Sequence, residues 1–584
     1  MVLLCYVLGL VILHFCLRKC EERLRSILMV GYNYLVVVAL YFWFRFPAGE
    51  GLTEIFYTLL LCMYEGIMAL TFEGNPDLFG TPQYVCIFLI IVVYTIRAVL
   101  IVFFKSLINR MVMEWRLYLA KEIYLISGRQ EDIEALAMDI HKHVKKAAIA
   151  YILSDEQEEE KEPVPGALRV EKDWVRKIKK DKTYRMILLP DSCHENIWYL
   201  QELDALGDQG AKLQVTAFLD NDLIRFEDLY FKNLDAYLVS REQLLIRRLL
   251  TEQLPLQYLK DRGLGKEKEG IFCPEVPFTV CVIGFGELGK EYLLSTYENT
   301  AFETAVSDKS GLKALILDAN LEEKRAELYR DAPQLKEESG IFWRETPYES
   351  EEFFEAVEEV LRGLHQILLA TEDTELNVEL AMRLLRICRK RGMGESLPQM
   401  IVALHGEAEG SKMLLAHEKN VFFQKAGQGQ FTYEELVLRK ADEEAEALHR
   451  HYQGRNLHAK NWNTLGTFTQ TSNRAVVWDI PNKLALAGDL DGLSKEERES
   501  IFWQLARYEH RRWNAFHYSR GWTKLPVAEL SEEEREQCIT KHKREKRHTC
   551  LVEWDELDAL PQSEPGILKR YDYENVAQLF DFTL

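Results

Sequence analysis

Hydrophobic residues are distributed unevenly along the 584-residue chain, and nearly all of the long apolar runs fall before residue 110. Three of these runs, Val2–Leu17, Ile27–Phe44 and Tyr84–Phe104, approach the about 20 residues that a helix needs to cross a bilayer. The first is the shortest, and it has neither the basic start nor the small-residue cleavage site of a removable signal peptide. The pattern therefore predicts a membrane module over residues 1–112 with three spanning helices.

A fourth apolar run, Ile55–Phe72, contains Glu65, and the surrounding charges decide how this run is interpreted. Residues 47–83 contain acidic residues but no Lys or Arg, whereas basic clusters follow the first and the last predicted span. Three spans place both basic clusters on the cytoplasmic side, as the positive-inside rule requires, but four spans would separate them. The fourth run is therefore predicted to be a half-buried or re-entrant helix.

The order helix, re-entrant helix, loop, helix resembles the pore module of tetrameric cation channels. A potassium filter requires a run like TVGYG, but this place reads TFEGNPDLFG, so potassium selectivity is not predicted. Glu73 and Asp77 either form acidic rings in an oligomer or belong to a solvated outer loop. Arg97, inside the last span, either faces a partner such as Glu65 or reaches the membrane surface. The candidate pore residues are thus Glu65, Glu73, Asp77 and Arg97.

After Met111, short apolar runs alternate with amphipathic stretches, and this pattern occurs twice. The first set of predicted strands is Glu122–Ser127, Ala147–Leu153, Met186–Leu189, Leu213–Leu219 and Tyr237–Val239. The second set is Phe278–Ile283, Lys313–Leu317, Gln366–Ala370, Met400–Leu404 and Val421–Phe423. Strands that alternate with helices predict a parallel sheet with both faces covered. We therefore predict an α/β fold with two doubly wound, Rossmann-like domains, residues 113–262 and 275–452.

A glycine-rich turn, Gly284-Phe285-Gly286-Glu287-Leu288-Gly289, lies between a predicted strand and a predicted helix of the second domain. Such glycines permit a tight turn, close approach of a pyrophosphate and packing of the helix on the strand. Asp318 ends the next strand, where a carboxylate can bind a ribose hydroxyl, although it lies further along the chain than the usual about 20 residues. The candidate cofactor-binding residues are Gly284, Gly286, Glu287, Gly289, Asp318 and Thr371. The alternative is a Rossmann fold that is retained for assembly and has an empty site.

The first domain has only Ser127-Gly128-Arg129 in place of the glycine-rich turn. Gly128 and Asp155, which occupies the matching ribose position, are its candidate nucleotide-binding residues. This signal is weaker than that of the second domain because a single glycine does not specify a phosphate-binding turn.

The run ILLATEDTELNVELAMRLLR (Ile367–Arg386) resembles the third strand and following helix of the TrkA-N/RCK family. Domains of that family regulate potassium channels and transporters and bind NAD or ATP-type ligands. Two such domains after a pore-like module resemble the family's gating ring. The resemblance implies NAD or another adenine nucleotide as the ligand and a homotetramer as the assembly.

The C-terminal part contains EHRRWN (Glu509–Asn514), GW (Gly521-Trp522) and HTCLVEWDEL (His548–Leu557), which resemble the RyR domain named after ryanodine receptors. The resemblance implies a small, mostly α domain over residues 491–584, after a linker at 453–490, with a pocket for a nucleotide-type ligand. Its implied phosphate partners are Arg507, Arg511 and Arg512, and its implied stacking residues are Trp513, Trp522 and Trp554. The alternative is that these tryptophans belong to the domain core.

Composition excludes several other functions. With 72 Lys+Arg against 92 Asp+Glu and a net charge of -20, the chain lacks the basic footprint of a nucleic-acid-binding protein. Its 11 cysteines form no CxxC pair, which argues against a disulfide scaffold or a zinc ribbon. No nucleophile is paired with a base and no metal-ligand spacing occurs, so neither catalytic nor metal residues are predicted.

These inferences together predict a ligand-gated, ion-channel-like effector, with antiviral defence as the context that family analogy suggests. It would be a multi-pass protein of the bacterial inner membrane, in contact with the lipid bilayer, with its C-terminal domains in the cytoplasm. The alternatives are a membrane-tethered NAD-dependent enzyme and a regulatory subunit of a cation transporter.

Overall fold

The computed structural model describes residues 22–46, 51–70, 110–154, 164–189, 192–208, 210–305, 311–405, 413–426, 431–455, 460–535 and 539–583. The chain divides into two compact units, Met1–Arg116 and Leu117–Leu584. Each unit is described separately below.

Two long helices form the described part of the first unit, α1 (Glu22–Arg45) and α2 (Leu52–Leu70). They are joined by an ion pair of 2.8 Å between Arg45 and Glu65 and by a hydrogen bond from the Tyr34 hydroxyl to the Met63 carbonyl. Glu65, for which the sequence suggested Arg97 as a partner, is therefore paired with Arg45 instead.

The predicted membrane module is not supported by the structure. Among the described residues, no helix combines the length and the apolar character needed to cross a bilayer. The predicted span Ile27–Phe44 lies within α1, and most of the predicted re-entrant run Ile55–Phe72 lies within α2. The other predicted spans, Val2–Leu17 and Tyr84–Phe104, and the pore candidates Glu73, Asp77 and Arg97 lie outside the described residues.

The second unit begins with a doubly wound domain, as predicted. Its parallel sheet has the order β3-β2-β1-β4-β5-β6, and side chains alternate between its faces, with Ile123 and Leu125 in one core and Tyr124 and Ile126 in the other. The strands are β1 Glu122–Gly128, β2 Ile149–Leu153, β3 Ala167–Arg169, β4 Thr183–Leu188, β5 Lys212–Phe218 and β6 Asp235–Val239. The helices are α3 Gln130–His143, α4 Cys193–Asp208, α5 Asn221–Phe226, α6 Arg241–Glu252 and α7 Pro255–Asp261, with a 3₁₀ turn at Lys172–Lys177.

A hairpin of β7 (Gly265–Lys268) and β8 (Ile271–Pro274) leads into a second doubly wound domain, which repeats the topology of the first. Its sheet has the order β11-β10-β9-β12-β13-β14, and every neighbouring pair is parallel. The strands are β9 Phe278–Ile283, β10 Leu312–Asp318, β11 Ile341–Glu345, β12 Gln366–Leu369, β13 Gln399–His405 and β14 Val421–Ala426. The helices are α8 Glu287–Asn299, α9 Leu321–Asp331, α10 Glu351–Val360 and α11 Thr374–Lys390, with 3₁₀ turns at Pro333–Glu337, Leu361–Gly363 and Gly394–Ser396.

The chain then returns to the first domain and completes its core. Phe431 and the helical turn Tyr433–Val437 pack into the cluster that contains Ile126 and Phe218. The Phe431 and Phe218 ring centroids are 4.6 Å apart, and the Thr216 hydroxyl of β5 donates to the Leu436 carbonyl. The first domain is therefore completed by residues that follow the second in sequence.

The C-terminal part is mostly helical. Residues 453–490, for which a linker was predicted, contain two packed helices, and residues from 494 onwards form a long helix, a small three-stranded sheet and a final helix. The helices are α12 Lys440–Arg455, α13 Thr467–Trp478, α14 Ile480–Ala487, α15 Lys495–Tyr518, α16 Glu532–Arg535 and α17 Ile567–Thr583, with 3₁₀ turns at Trp462–Thr464, Val527–Glu529 and Trp554–Ala559. The strands are β15 Thr523–Lys524, β16 Lys541–His542 and β17 Arg547–His548, in the order β15-β17-β16.

The returning segment predicts a specific stability effect. Replacing Phe431, whose side chain is 7% exposed, with Ala should lower the free energy of unfolding by about 3–5 kcal/mol, because a large buried ring leaves a cavity in the first domain. Urea unfolding of the full chain measures this change. In the same segment, Leu438→Ala is the control, since Leu438 is 46% exposed and should change stability by less than about 0.5 kcal/mol. Equal effects of the two substitutions would contradict this assignment.

Candidate functional site

The glycine-rich turn joins β9 to α8 at the carboxyl edge of the second sheet, and two of its glycines are required by packing. Gly284 has a φ of +92°, and a Cβ there would lie 2.6 Å from the backbone of Ala370 and Thr371. A Cβ on Gly289 would lie 2.2 Å from the Gly284 carbonyl oxygen. These glycines hold the turn, the start of α8 and the end of β12 in close contact.

Gly286 differs from the other two glycines because it faces open space. Its φ of -86° and ψ of -163° suit any residue, and a Cβ there would meet no atom within 4 Å. It precedes the first turn of α8, where backbone N–H groups lack partners within the helix and can bind anionic oxygens. This is the arrangement that a pyrophosphate needs.

Asp318, at the end of β10, holds the turn from the other side. Its Oδ2 accepts hydrogen bonds from the Phe285 backbone N–H at 2.6 Å, from Lys324 Nζ at 3.0 Å and from the Tyr348 hydroxyl at 3.1 Å. Its Oδ1 accepts from the Asn320 N–H at 2.8 Å. Burial alone would raise the pKa of Asp318, but these donors outweigh it and lower the pKa, so the carboxylate is ionised. The predicted ribose-binding residue thus lies beside the turn.

Glu287, the first residue of α8, shows the opposite electrostatic behaviour. Although its side chain is exposed, loss of hydration around the carboxylate raises its pKa to about 7. The negative charges of Asp222, Glu242 and Glu327 contribute to this rise, and the Lys290 ammonium opposes it. Glu287 therefore changes charge near neutral pH, directly beside the turn.

Thr371 follows β12, and its side chain takes part in a local network. Its backbone N–H and hydroxyl both donate to Asn377 Oδ1, at 3.0 and 2.6 Å. Asn377 Nδ2 in turn donates to the carbonyls of Thr371 and Ala403, and Asp373 caps α11 by accepting from Glu375 and Leu376. Thr371 therefore shapes the edge next to Gly284, while its hydroxyl is already engaged within the loop.

The first domain does not repeat this site. One residue, Arg129, separates β1 from α3, and a Cβ on Gly128 would lie 2.9 Å from Leu189 Cβ, so this glycine serves packing between strands. Phe431 packs on Phe218 at the end of β5, and the Arg241 guanidinium lies 5.4 and 5.5 Å from the two ring centroids. The chain's own side chains thus occupy this carboxyl edge. Asp155, the predicted ribose residue, lies outside the described residues.

The arginines predicted to bind phosphate in the C-terminal domain have protein partners. Arg512 makes a bidentate ion pair with Glu509, at 2.7 and 2.9 Å, and both side chains are 2% exposed. Glu509 also pairs with Lys483 at 2.8 Å, and the two cations lower its pKa to about 2 despite burial. Arg507 and Arg511 both bind Glu303, which follows α8 in the second Rossmann-like domain. They therefore connect two domains.

The three predicted stacking tryptophans lie in two different packing environments. Trp513 and Trp554 pack around the core of Cys550, Val552, Leu557 and Leu568. Trp522 is buried against Phe468, with ring centroids 5.1 Å apart, and lies under Lys541 Nζ at 4.5 Å. The structure therefore does not bring the six predicted residues of this pocket together around one ligand-sized space.

Sequence reasoning missed a buried ion network that joins three parts of the unit. Arg225 of α5, which is 2% exposed, binds Glu291 through Nη2 at 2.5 Å and Nε at 3.0 Å. Its Nη1 binds Glu298 at 2.6 Å, and Arg520, just after α15, binds the same carboxylate at 2.7 Å. A signal was present, because Glu291 and Glu298 lie two turns apart on one face of α8.

Comparison with known proteins gives limited information. No family model and no curated protein matches the chain. Among solved structures, a point mutant of GsuK is 13% identical, with a TM-score of 0.30 over 69% of this chain and 96% of that chain. A dipicolinate synthase polypeptide from Bacillus halodurans is 12% identical (TM-score 0.21, 54% and 92%), as is D-lactate dehydrogenase from Escherichia coli (TM-score 0.20, 57% and 97%). These values are too low to carry a functional argument.

The Asn377 network predicts that this residue stabilises the site. Asn377→Ala should lower the free energy of unfolding by about 3 kcal/mol, because it leaves buried backbone groups of Thr371 and Ala403 without partners. Thermal or urea unfolding measures the loss. Glu379→Ala, on the exposed face of the same helix, serves as the control and should cost under about 0.5 kcal/mol. A loss for Asn377→Ala as small as that of the control would show that the network adds little.

Proposed function

We propose that this protein is a nucleotide-responsive regulator whose second Rossmann-like domain binds NAD or another adenine nucleotide at the turn Gly284–Gly289. The observation that carries the proposal is the contrast within the turn. Two glycines are required by packing, whereas Gly286 faces open space at the start of a helix. A glycine with that exposure and helix position is suited to the close approach of a pyrophosphate.

The proposed ribose contact is Asp318. Two of its four donors, Lys324 Nζ and the Tyr348 hydroxyl, belong to side chains that can move away, while the Phe285 and Asn320 N–H groups belong to the turn backbone. A ribose diol would replace the two mobile donors, and the backbone donors would keep the carboxylate in place. This exchange would couple binding to the positions of α9 and the loop that carries Tyr348.

The proposed route from the ligand to the rest of the unit is α8. Its first turns contact the first domain through Lys290 and Asp222, at 2.6 Å, and through the Glu291–Arg225 pair. Its last turn contacts the C-terminal domain through Glu298 and Arg520. A ligand on the N-terminus of α8 would therefore favour one arrangement of three modules if it binds that arrangement more tightly.

The proposed output is the N-terminal segment, acting as an ion-channel-like module in a bacterial inner membrane, within a homotetramer whose other domains lie in the cytoplasm. This part rests on the apolar runs and the charge placement in the sequence. An NAD-dependent enzyme is the competing proposal, and sustained consumption of NAD(P) by purified protein would favour it.

Substitution of Gly286 provides the central test. Gly286→Glu should weaken binding of NAD or ATP to the full chain at least tenfold, about 1.4 kcal/mol, since its side chain places a negative charge where the phosphates would lie. Isothermal titration calorimetry measures the affinity. Gly363→Glu is the matched control, because Gly363 is equally open but precedes β12 at the opposite edge of the sheet. Unchanged affinity in Gly286→Glu would reject this turn as the site.

Glu287 predicts a pH dependence of nucleotide binding. Because its pKa is raised to about 7, the group is neutral below this pH and negative above it. The affinity should therefore fall about fivefold between pH 6 and pH 8, corresponding to about 1 kcal/mol for like charges 4 Å apart in water. Glu287→Gln should remove this slope. A slope that persists in Glu287→Gln would assign the titration to another group.

The proposed output has its own test. Full-length protein expressed in bacteria should remain in the membrane fraction after extraction with alkaline carbonate, and release into the supernatant would argue against a membrane module. Reconstituted liposomes should then show nucleotide-dependent ion flux. Flux that does not respond to any nucleotide, in protein that binds one, would separate the failure of the output from the failure of the binding site.

A further inference from the structure

A polar cavity lies where the first domain, α8 and the C-terminal part meet, away from the glycine-rich turn. Its volume is about 40 Å³, which corresponds to room for about three water molecules or one tetrahedral oxyanion. Gln243, Arg247 and Thr251 of α6 line it, together with Ser295 and Glu298 of α8. Thr251 is exposed, so the cavity reaches the surface there.

Positive charge exceeds negative charge at this cavity. Three arginines, Arg225, Arg247 and Arg520, contribute guanidinium groups to its lining. The carboxylates that neutralise them are Glu298, which binds both Arg225 and Arg520, and Glu291, which binds Arg225. One positive charge therefore remains in excess. Burial is also the main reason that the pKa values of Arg247 and Arg520 are lowered to about 10.

Hydrogen-bond donors also outnumber acceptors at this cavity. Trp478 lines it, and its indole Nε1–H is buried and has no hydrogen-bond acceptor among the described residues. The Arg247 guanidinium lies over the Trp478 ring and bonds the Tyr237 hydroxyl. Glu298 Oε1 already accepts from Arg225, Ser519 and Arg520. A buried donor that lacks an acceptor, next to unneutralised cations, indicates a missing anionic acceptor.

We propose that this cavity binds a phosphate-type oxyanion, which neutralises the surplus charge of Arg247 and accepts a hydrogen bond from Trp478. The cavity is too small for a nucleoside, so the oxyanion is either free phosphate or the phosphoryl group of a ligand whose remainder extends past Thr251. Arg225 and Arg520 join three modules here, so the anion would tighten their junction. The site is independent of the proposed nucleotide site and would act as a second effector site.

The test uses the full chain with sodium phosphate as the probe and sodium chloride at equal ionic strength as the reference. Phosphate should raise the unfolding temperature in a saturable manner, and titration calorimetry should give a binding constant. Arg247→Gln should weaken binding at least tenfold. Arg248→Gln is the matched control, because the adjacent Arg248 binds Glu435 and does not line the cavity; it should leave binding unchanged.

Two further variants keep the test decisive. Trp478→Phe removes only the indole donor and should weaken phosphate binding several-fold, which tests the site even if Arg247→Gln fails to fold. Gly286→Glu should leave phosphate binding intact, since a phosphate held by the glycine-rich turn would be lost in this variant. Equal binding by wild type and Trp478→Phe, or no saturable effect beyond that of chloride, would overturn the proposal.

The source of the oxyanion is distinguished by comparing phosphate with ribose 5-phosphate. Tighter binding of the sugar phosphate, with the same dependence on Trp478, would identify a phosphoryl group of a larger ligand. Equal or weaker binding of the sugar phosphate would identify free phosphate.

Discussion

The buried ion network of Arg225, Glu291, Glu298 and Arg520 is the constraint on which the second unit depends. Removing two arginines and two glutamates from water costs several kcal/mol for each ion, and only a complete set of partners compensates for this cost. The partners belong to three modules, so each module leaves a charge uncompensated if it separates. The network thus makes docking of the modules cooperative, and it specifies one arrangement more than it adds stability.

Helix α8 connects this network to the glycine-rich turn. Its amino end is fixed by backbone contacts of Gly284 and Gly289, and its later turns carry the two buried glutamates. A close-packed helix transmits a small displacement as a rigid body. The junction can therefore respond to a ligand at the amino end because the charged groups tolerate few alternative positions. This is a physical basis for regulation that needs no separate linker.

The sequence predicted what depends on continuous patterns and missed what depends on tertiary partners. The central strands were found because their apolar runs are uninterrupted, whereas the short edge strands β3 and β11 carry mixed side chains and were not. Helices α13 and α14 were taken for a linker because their charged residues appear solvated, yet Arg474 and Lys483 are buried and paired with Asp442 and Asp479. Arg512 suggested a phosphate ligand for the same reason, since its partner Glu509 could not be identified from spacing alone.

The two Rossmann-like domains share one topology but differ at the carboxyl edge, and this difference divides their roles. In the second domain, Gly286 leaves the edge open next to a helix N-terminus. In the first, a one-residue connection replaces the phosphate-binding turn, and Phe431 with Arg241 fills the edge from within the chain. Because Phe431 arrives after the second domain, the first cannot complete its core without it. The first domain is thus built to receive contacts from its neighbours, and the second is built to bind a ligand.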